Sequence, residues 1–170
     1  MDIKSWLLGC IALGFCSSAL SGVFKDEVDR ASGSRSVGWM AVPKKDGDFT
    51  LSTFAFFPEG ARAPTAYILD LLTWSKGAGL GDCRRSYWLL DGHPVGEEFR
   101  YSVTHAETEL IEHFSLSTDR QTVERFANAK KIEFIVCNSK SEVTGADHGG
   151  LRRVLTTTEV HQPDQEQNED

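Results

Sequence analysis

The sequence predicts an α+β domain, a mainly antiparallel sheet of about five to seven strands with two helices packed on one face. Three observations carry that expectation. Short apolar runs of period two recur between Asp-Gly, Pro and Gly turns. Residues 109–137 pass from period two to helical spacing and back. Near the C-terminus Leu151, Val154 and Leu155 recur at helical spacing.

The chain opens with MDIKSWLLGCIALGFCSSALSG, one lysine followed by an uncharged run that closes on small residues at Ala19 and Ser21. This is the pattern of a signal peptide over residues 1–21, because the apolar stretch from Trp6 to Leu20 is shorter than the ~20 residues a membrane span needs. An exported protein, periplasmic or secreted, is expected, with no span in the mature chain. Leu7-Leu8-Gly9-Cys10 has the look of a lipobox and supplies the alternative, a lipoprotein anchored to a membrane through Cys10. It sits so early that almost no apolar core precedes it.

Removal of residues 1–21 leaves roughly 150 residues, enough for one domain with its own core and crowded for two. The net charge of −7 is unchanged, since Asp2 and Lys4 leave together, and Asp164, Glu166, Glu169 and Asp170 concentrate acid in the tail. No Lys/Arg cluster interleaved with aromatics occurs, so nucleic acid is not an expected partner. Arg84-Arg85 and Arg152-Arg153 read as isolated, solvated pairs. Cleavage also removes Cys10 and Cys16 and leaves Cys83 and Cys137. Two cysteines in an exported chain pair more often than they persist as separate buried thiols, and a bridge over roughly fifty residues stabilises by ~4 kcal/mol in the chain-entropy account. With no C-x-x-C pair and no third cysteine, a redox or zinc role has little support.

Residues 22–36 are polar and mixed, with only Val23, Phe24 and Val28 as anchors, and read as an arm or one weak helix. The domain proper is expected over 37–158. Val37 to Pro43 is a strand, Asp46-Gly47 a turn that tolerates positive φ, and Phe49 to Phe57 the hairpin partner, one-sided at its start and buried on both faces at its end. Residues 65–74, TAYILDLLTW, place apolar groups on both strand faces and would also suit a helix between Pro64 and Gly77. The neighbouring strands favour a strand. The following KGAGLGD matches neither a P-loop nor G-x-G-x-x-G and reads as a flexible connection. Arg85 to Leu90 and Val95 to Val103 form an antiparallel pair around the turn Asp91-Gly92-His93-Pro94.

In the 109–137 stretch, Leu110, Phe114 and Leu116 share one strand parity, interrupted by Glu112. Ser117 or Thr118 is the expected cap of a helix over 118–129, Thr118 and Gln121 having capping-box spacing. Val123, Phe126 and Ala127 are its apolar stripe. Ile132, Phe134 and Val136 then face one way in a strand over 131–137. Asn138 to Ser141 is a turn, Glu142-Val143 a minimal strand, and 147–158 a helix whose first turn Gly149 and Gly150 weaken by about 1 kcal/mol each. Residues 159–170 are a disordered acidic tail.

Cys83, the run Trp88 to Val95, a strand ending near Phe114, and Glu124 to Ala129 leading into Ile132-Glu133-Phe134 together resemble a class of uncharacterised exported bacterial α+β domains. The resemblance lies mainly in residues 83–137, implies an exported α+β domain of no assigned activity, and carries over no catalytic residue.

The cluster with the best claim to chemistry is His105, Glu107, Glu109 and His113. On one strand His105, Glu107 and Glu109 share a face, whereas on a helix His105, Glu109 and His113 stack at four-residue spacing. Either arrangement supplies nitrogen and oxygen ligands for a metal, although the spacing is not H-E-x-x-H. Asp91 and His93 already have a reason to stand in a turn, and no G-x-S-x-G elbow occurs. A non-catalytic exported binding or envelope-associated domain is therefore the first expectation, with no cofactor and an unknown protein or small molecule as partner. Trp39, Trp74, Tyr87 and Trp88 are its candidate contact residues, each also suited to a core. A metal-dependent or acid/base hydrolase using the His105 to His113 cluster is the alternative.

Overall fold

The computed structural model describes residues 22–77, 79–106 and 108–159. The signal-peptide and lipobox readings, and the acidic tail after Glu159, lie outside the described residues. Ten strands and two helices are described: β1 (Gly22–Val28), β2 (Arg35–Ala41), β3 (Phe49–Phe57), β4 (Ala66–Lys76), β5 (Ser86–Leu90), β6 (His93–Pro94), β7 (Arg100–Ala106), β8 (Glu109–Thr118), α1 (Arg120–Asn128), β9 (Ile132–Val136), β10 (Ser139–Glu142) and α2 (Gly145–Thr157). They form a six-stranded sheet in the order β1-β2-β3-β4-β8-β7 and a four-stranded sheet in the order β10-β9-β5-β6. Every pairing is antiparallel. The mainly antiparallel sheet with two helices is as expected. The division into two sheets is not, and strand outweighs helix.

Residues 22–28, expected as an arm or weak helix, are instead an edge strand, in register with β2 from Gly22↔Ala41 to Val28↔Arg35. Phe24 pairs with Trp39 and carries the Arg153 guanidinium 3.9 Å above its ring. Long-range pairing overrides a weak local pattern. The ambiguous 65–74 stretch is a strand, β4, in the middle of the six-stranded sheet between β3 and β8. Its apolar residues point to both faces, of which the described residues cover only one.

The 85–103 pairing differs from the expectation. β5 turns through Asp91 and Gly92, both at positive φ, into a two-residue β6. Asp91 Oδ1 accepts the backbone N–H groups of Lys130 and Lys131 at 2.9 Å each, which pins this turn to the end of α1. The chain then leaves the small sheet, and β7 pairs with β8 in the large one. Two sheets arise here because the tight turn spends its pairing on β6 and the next strand has a longer partner elsewhere.

The cap of α1 is Asp119 rather than Ser117 or Thr118. Its carboxylate accepts the Thr122 N–H at 2.8 Å, and β8 runs on through Thr118. Val123, Phe126 and Ala127 are buried as the stripe predicts. Ile132, Phe134 and Val136 are buried in β9; of Asn138 to Ser141, expected as a turn, residues 139–141 belong with Glu142 to the strand β10 instead. α2 begins at Gly145 under a Thr144 cap. Arg152 is not solvated: its Nε donates to the Ala127 carbonyl at 2.8 Å, at the open end of α1.

The core lies between one face of the six-stranded sheet and a layer made of the small sheet and both helices. Val37, Trp39, Leu51, Ala55, Leu69, Leu71, Phe114 and Leu116 come from the large sheet; Trp88, Val123, Phe126, Phe134, Leu151 and Val154 come from the layer above it. Trp88 stacks on Phe99 at 4.4 Å and meets Phe126 at 5.8 Å and Phe134 at 5.5 Å. Phe134 in turn touches Phe49 of the large sheet at 5.3 Å. Cys83 and Cys137 are bonded, with Cα atoms 5.5 Å apart, beside the Ser86↔Val136 end of the small sheet.

Candidate functional site

Residues directly opposite one another in an antiparallel pair point to the same face, and neighbours along a strand point to opposite faces. Applied to the registers, the rule puts Met40, Ser52, Phe54, Phe56, Ile68, Asp70, Leu72, Trp74, Ile111, His113 and Ser115 on the outer face of the large sheet. A water-facing sheet surface usually alternates to polar groups. This one does not: Met40 and Phe56 are each 39 % exposed, and Phe54, Leu72, Trp74 and Ile111 are half-buried. The end of β3, expected to be buried on both faces, is instead where Phe54 and Phe56 emerge.

A groove of ≈ 590 Å³ runs over this face. Its floor is Ser52, Phe54, Asp70 and Leu72, one wall is residues 40–43, and the other is Glu109, Ile111 and His113. The first wall exists because β2 peels away from β3 after Trp39↔Thr53. Ser52 Oγ takes over the Ala41 N–H at 2.9 Å, and Trp74 Nε1 donates to the Pro43 carbonyl at 3.1 Å, so residues 40–43 are tied down at both ends. Lys76 Nζ stands 5.9 Å from the Trp74 ring centre.

At the polar end of the groove Asp70 meets two residues of β8. His113 Nδ1 lies 2.8 Å from Asp70 Oδ2, and Ser115 Oγ donates to Oδ1 at 2.6 Å. The two hydrogen-bonded side chains are only 14 % (Asp70) and 24 % (His113) exposed. A carboxylate accepts only, so the pairing assigns the proton to Nδ1 and leaves Nε2 of a neutral imidazole as an acceptor. Each Asp70 oxygen accepts one of these bonds and retains further acceptor capacity. The Ser115 hydroxyl donates its hydrogen bond to Asp70 and not to His113. The trio therefore lacks the nucleophile-to-base hydrogen bond of an activated serine.

The expected metal cluster is divided. β7 and β8 are a hairpin, so parity does not run from residue 105 to 109. His105 stands opposite Leu110, on the inner side with Glu112, whereas His113 and Glu109 face the groove. Glu107 lies outside the described residues. No group of three His, Cys, Asp or Glu among the described residues is placed to hold a metal. Glu112, which interrupted the apolar parity of β8, is buried and accepts the Leu80 N–H at 3.0 Å and the Tyr101 hydroxyl at 2.8 Å. Burial, and then this bond, raise the Tyr101 phenol above its ordinary range.

The four candidate aromatics do not form one patch. Trp39 and Trp88 are core residues, Trp88 with 2 % of its surface exposed; Tyr87 is 59 % exposed and far along a different sheet; Trp74 alone lines the groove. Phe54, Leu72 and Ile111 lie on the strand parity opposite to the core positions, the one sequence signal that points to this face, although the end of β3 is expected from the sequence to be buried on both sides. A second concavity of ≈ 640 Å³ at the far end of β1 and β2 contains Arg35, which is already satisfied by Asp26 at 2.7 Å and by the Phe57 ring. Compared with family models, with curated proteins and with solved structures, the chain matches none of them.

Proposed function

We propose that this chain is an exported, non-catalytic binding domain whose ligand lies on the outer face of the six-stranded sheet. The observation that carries the reading is the groove: Met40, Phe54, Leu72, Trp74 and Ile111 present apolar surface to water beside the Asp70–His113 pair. Ligand pockets occupy roughly 300–1,000 Å³ and combine apolar lining with a few placed polar groups, and both features occur together here. Export is supported by the Cys83–Cys137 bond, which persists in oxidising compartments, and by the leader pattern of residues 1–21. No helix among the described residues is long and apolar enough to cross a membrane. The hydrolase alternative loses support from the separation of His105 and His113 onto opposite faces.

The test is a neutral apolar fluorophore, N-phenyl-1-naphthylamine, titrated into the mature protein. Saturable binding is expected, abolished by Leu72→Asp on the groove floor and unaffected by Tyr87→Ala, with the thermal midpoint of both variants near that of the parent. Binding that survives Leu72→Asp would remove the groove from the reading.

A further inference from the structure

The groove's ionisable groups are one-sided. Asp70 and Glu109 line it together with His113, and among the described residues no lysine or arginine does. Lys76 and Arg100 stand on the same sheet face, opposite Glu109 and Ser115 respectively, but outside the lining, and Lys25 and Glu27 lie beyond it on β1. We propose that the ligand is a cationic amphiphile, a primary amine carrying an aliphatic or ring body, whose ammonium is received by Asp70 and His113 while the body lies over Phe54, Leu72 and Ile111. This rests on the groove being the binding site.

The chemistry of the pair selects that head group. An ammonium brings three donors and no acceptor. Asp70 has spare acceptor capacity on both oxygens, and Nε2 of His113 presents an acceptor beside it once Nδ1 is turned to Asp70. Ser115 and His113 hold the carboxylate in place before the ligand arrives, so little is lost in ordering it. An anionic amphiphile meets Asp70 and Glu109 with like charge. A purely apolar ligand covers the pair and leaves its open lone pairs dry, which is unfavourable. The apolar floor then holds the chain or ring by burying its methylenes.

The experiment compares dodecylammonium, dodecanol and dodecanoate, each below its aggregation threshold, by calorimetry and by the change in tryptophan fluorescence. Dodecylammonium is expected to bind at least about ten-fold more tightly than dodecanoate, a difference of about 1.4 kcal/mol. Asp70→Asn is expected to erase that preference. Equal or tighter binding of dodecanoate by the parent protein overturns the assignment without any variant, and so does a preference that survives Asp70→Asn in a folded protein. If none of the three binds, the groove reading itself fails. Light scattering of the unliganded protein separates the remaining occupant: a dimer that Leu72→Asp dissociates would mean that a second copy covers this face, and would overturn the amphiphile.

Discussion

At the residue scale, Gly150 shows how a helix-weakening residue can be required. It sits in α2, where its cost against alanine is about 1 kcal/mol, yet a Cβ built there would fall within the Trp39 ring. The indole lies flat against the helix backbone and donates from Nε1 to Asp147 Oδ1 at 3.2 Å, while Asp147 Oδ2 accepts the Leu51 N–H at 3.3 Å. One buried carboxylate thus serves the indole and a strand amide left without a β2 partner after β2 peels away. Gly150→Ala is expected to destabilise by about 1–3 kcal/mol through overpacking, against the propensity gain. Urea unfolding monitored by Trp fluorescence measures it, and a neutral or stabilising result would show that Trp39 can move aside. Asp147→Ala strands two buried donors and is expected to cost more than Gly150→Ala in the same experiment.

At the element scale, three carboxylates hold segment ends and are depressed below their ordinary range by what they accept. A hydrogen bond from Arg35 does this to Asp26 between β1 and β2, the Thr122 backbone N–H to Asp119 at the start of α1, and Lys131 followed by Lys140 to Glu133 between β9 and β10. A carboxyl group whose folded pKa is depressed contributes stability above its unfolded value and loses it as pH falls through the folded one. The thermal midpoint is therefore expected to be flat with respect to these groups from pH 7 to 5 and to fall below about pH 4, where unfolded Asp and Glu titrate. Asp119→Asn keeps an acceptor at the cap and removes the charge, and is expected to shallow that acid limb. A limb identical to the parent's would exclude Asp119 from it.

At the scale of the whole molecule, the Cys83–Cys137 bond closes a loop with a sequence separation of 54 that contains β5 to β9 and α1. It does not join the two sheets. It fastens one end of the small sheet, where Ser86 already pairs with Val136. Its effect is thus mainly on the unfolded chain, up to about 4 kcal/mol, which for a domain of this size corresponds to a fall in Tm on the order of 10 °C on reduction. Thermal unfolding of Cys83→Ser/Cys137→Ser beside the parent tests this, and an unchanged midpoint would show that the unfolded chain keeps these ends close. Neutral-dye binding is expected to persist in the reduced protein below its midpoint, because the groove belongs entirely to the large sheet.

The sequence by itself determined the period of each strongly patterned element. Phe114 and Leu116, Val123 and Phe126, and Ile132, Phe134 and Val136 all point where their spacing says, because burial on one face imposes the period. It also made Cys83 and Cys137 the expected pair, on the reading of residues 1–21 as a leader. Which faces are covered was decided only by the tertiary structure. TAYILDLLTW carries apolar groups on both parities whether its second face meets a core, a ligand or water, so its role as the floor of an open groove follows from where α2 and the small sheet settle. The Asp70, His113 and Ser115 contacts join residues 43 and 45 positions apart. No local pattern announces them, since the β4–β8 register that brings them together is set by long-range strand pairing and not by the chain near any of the three.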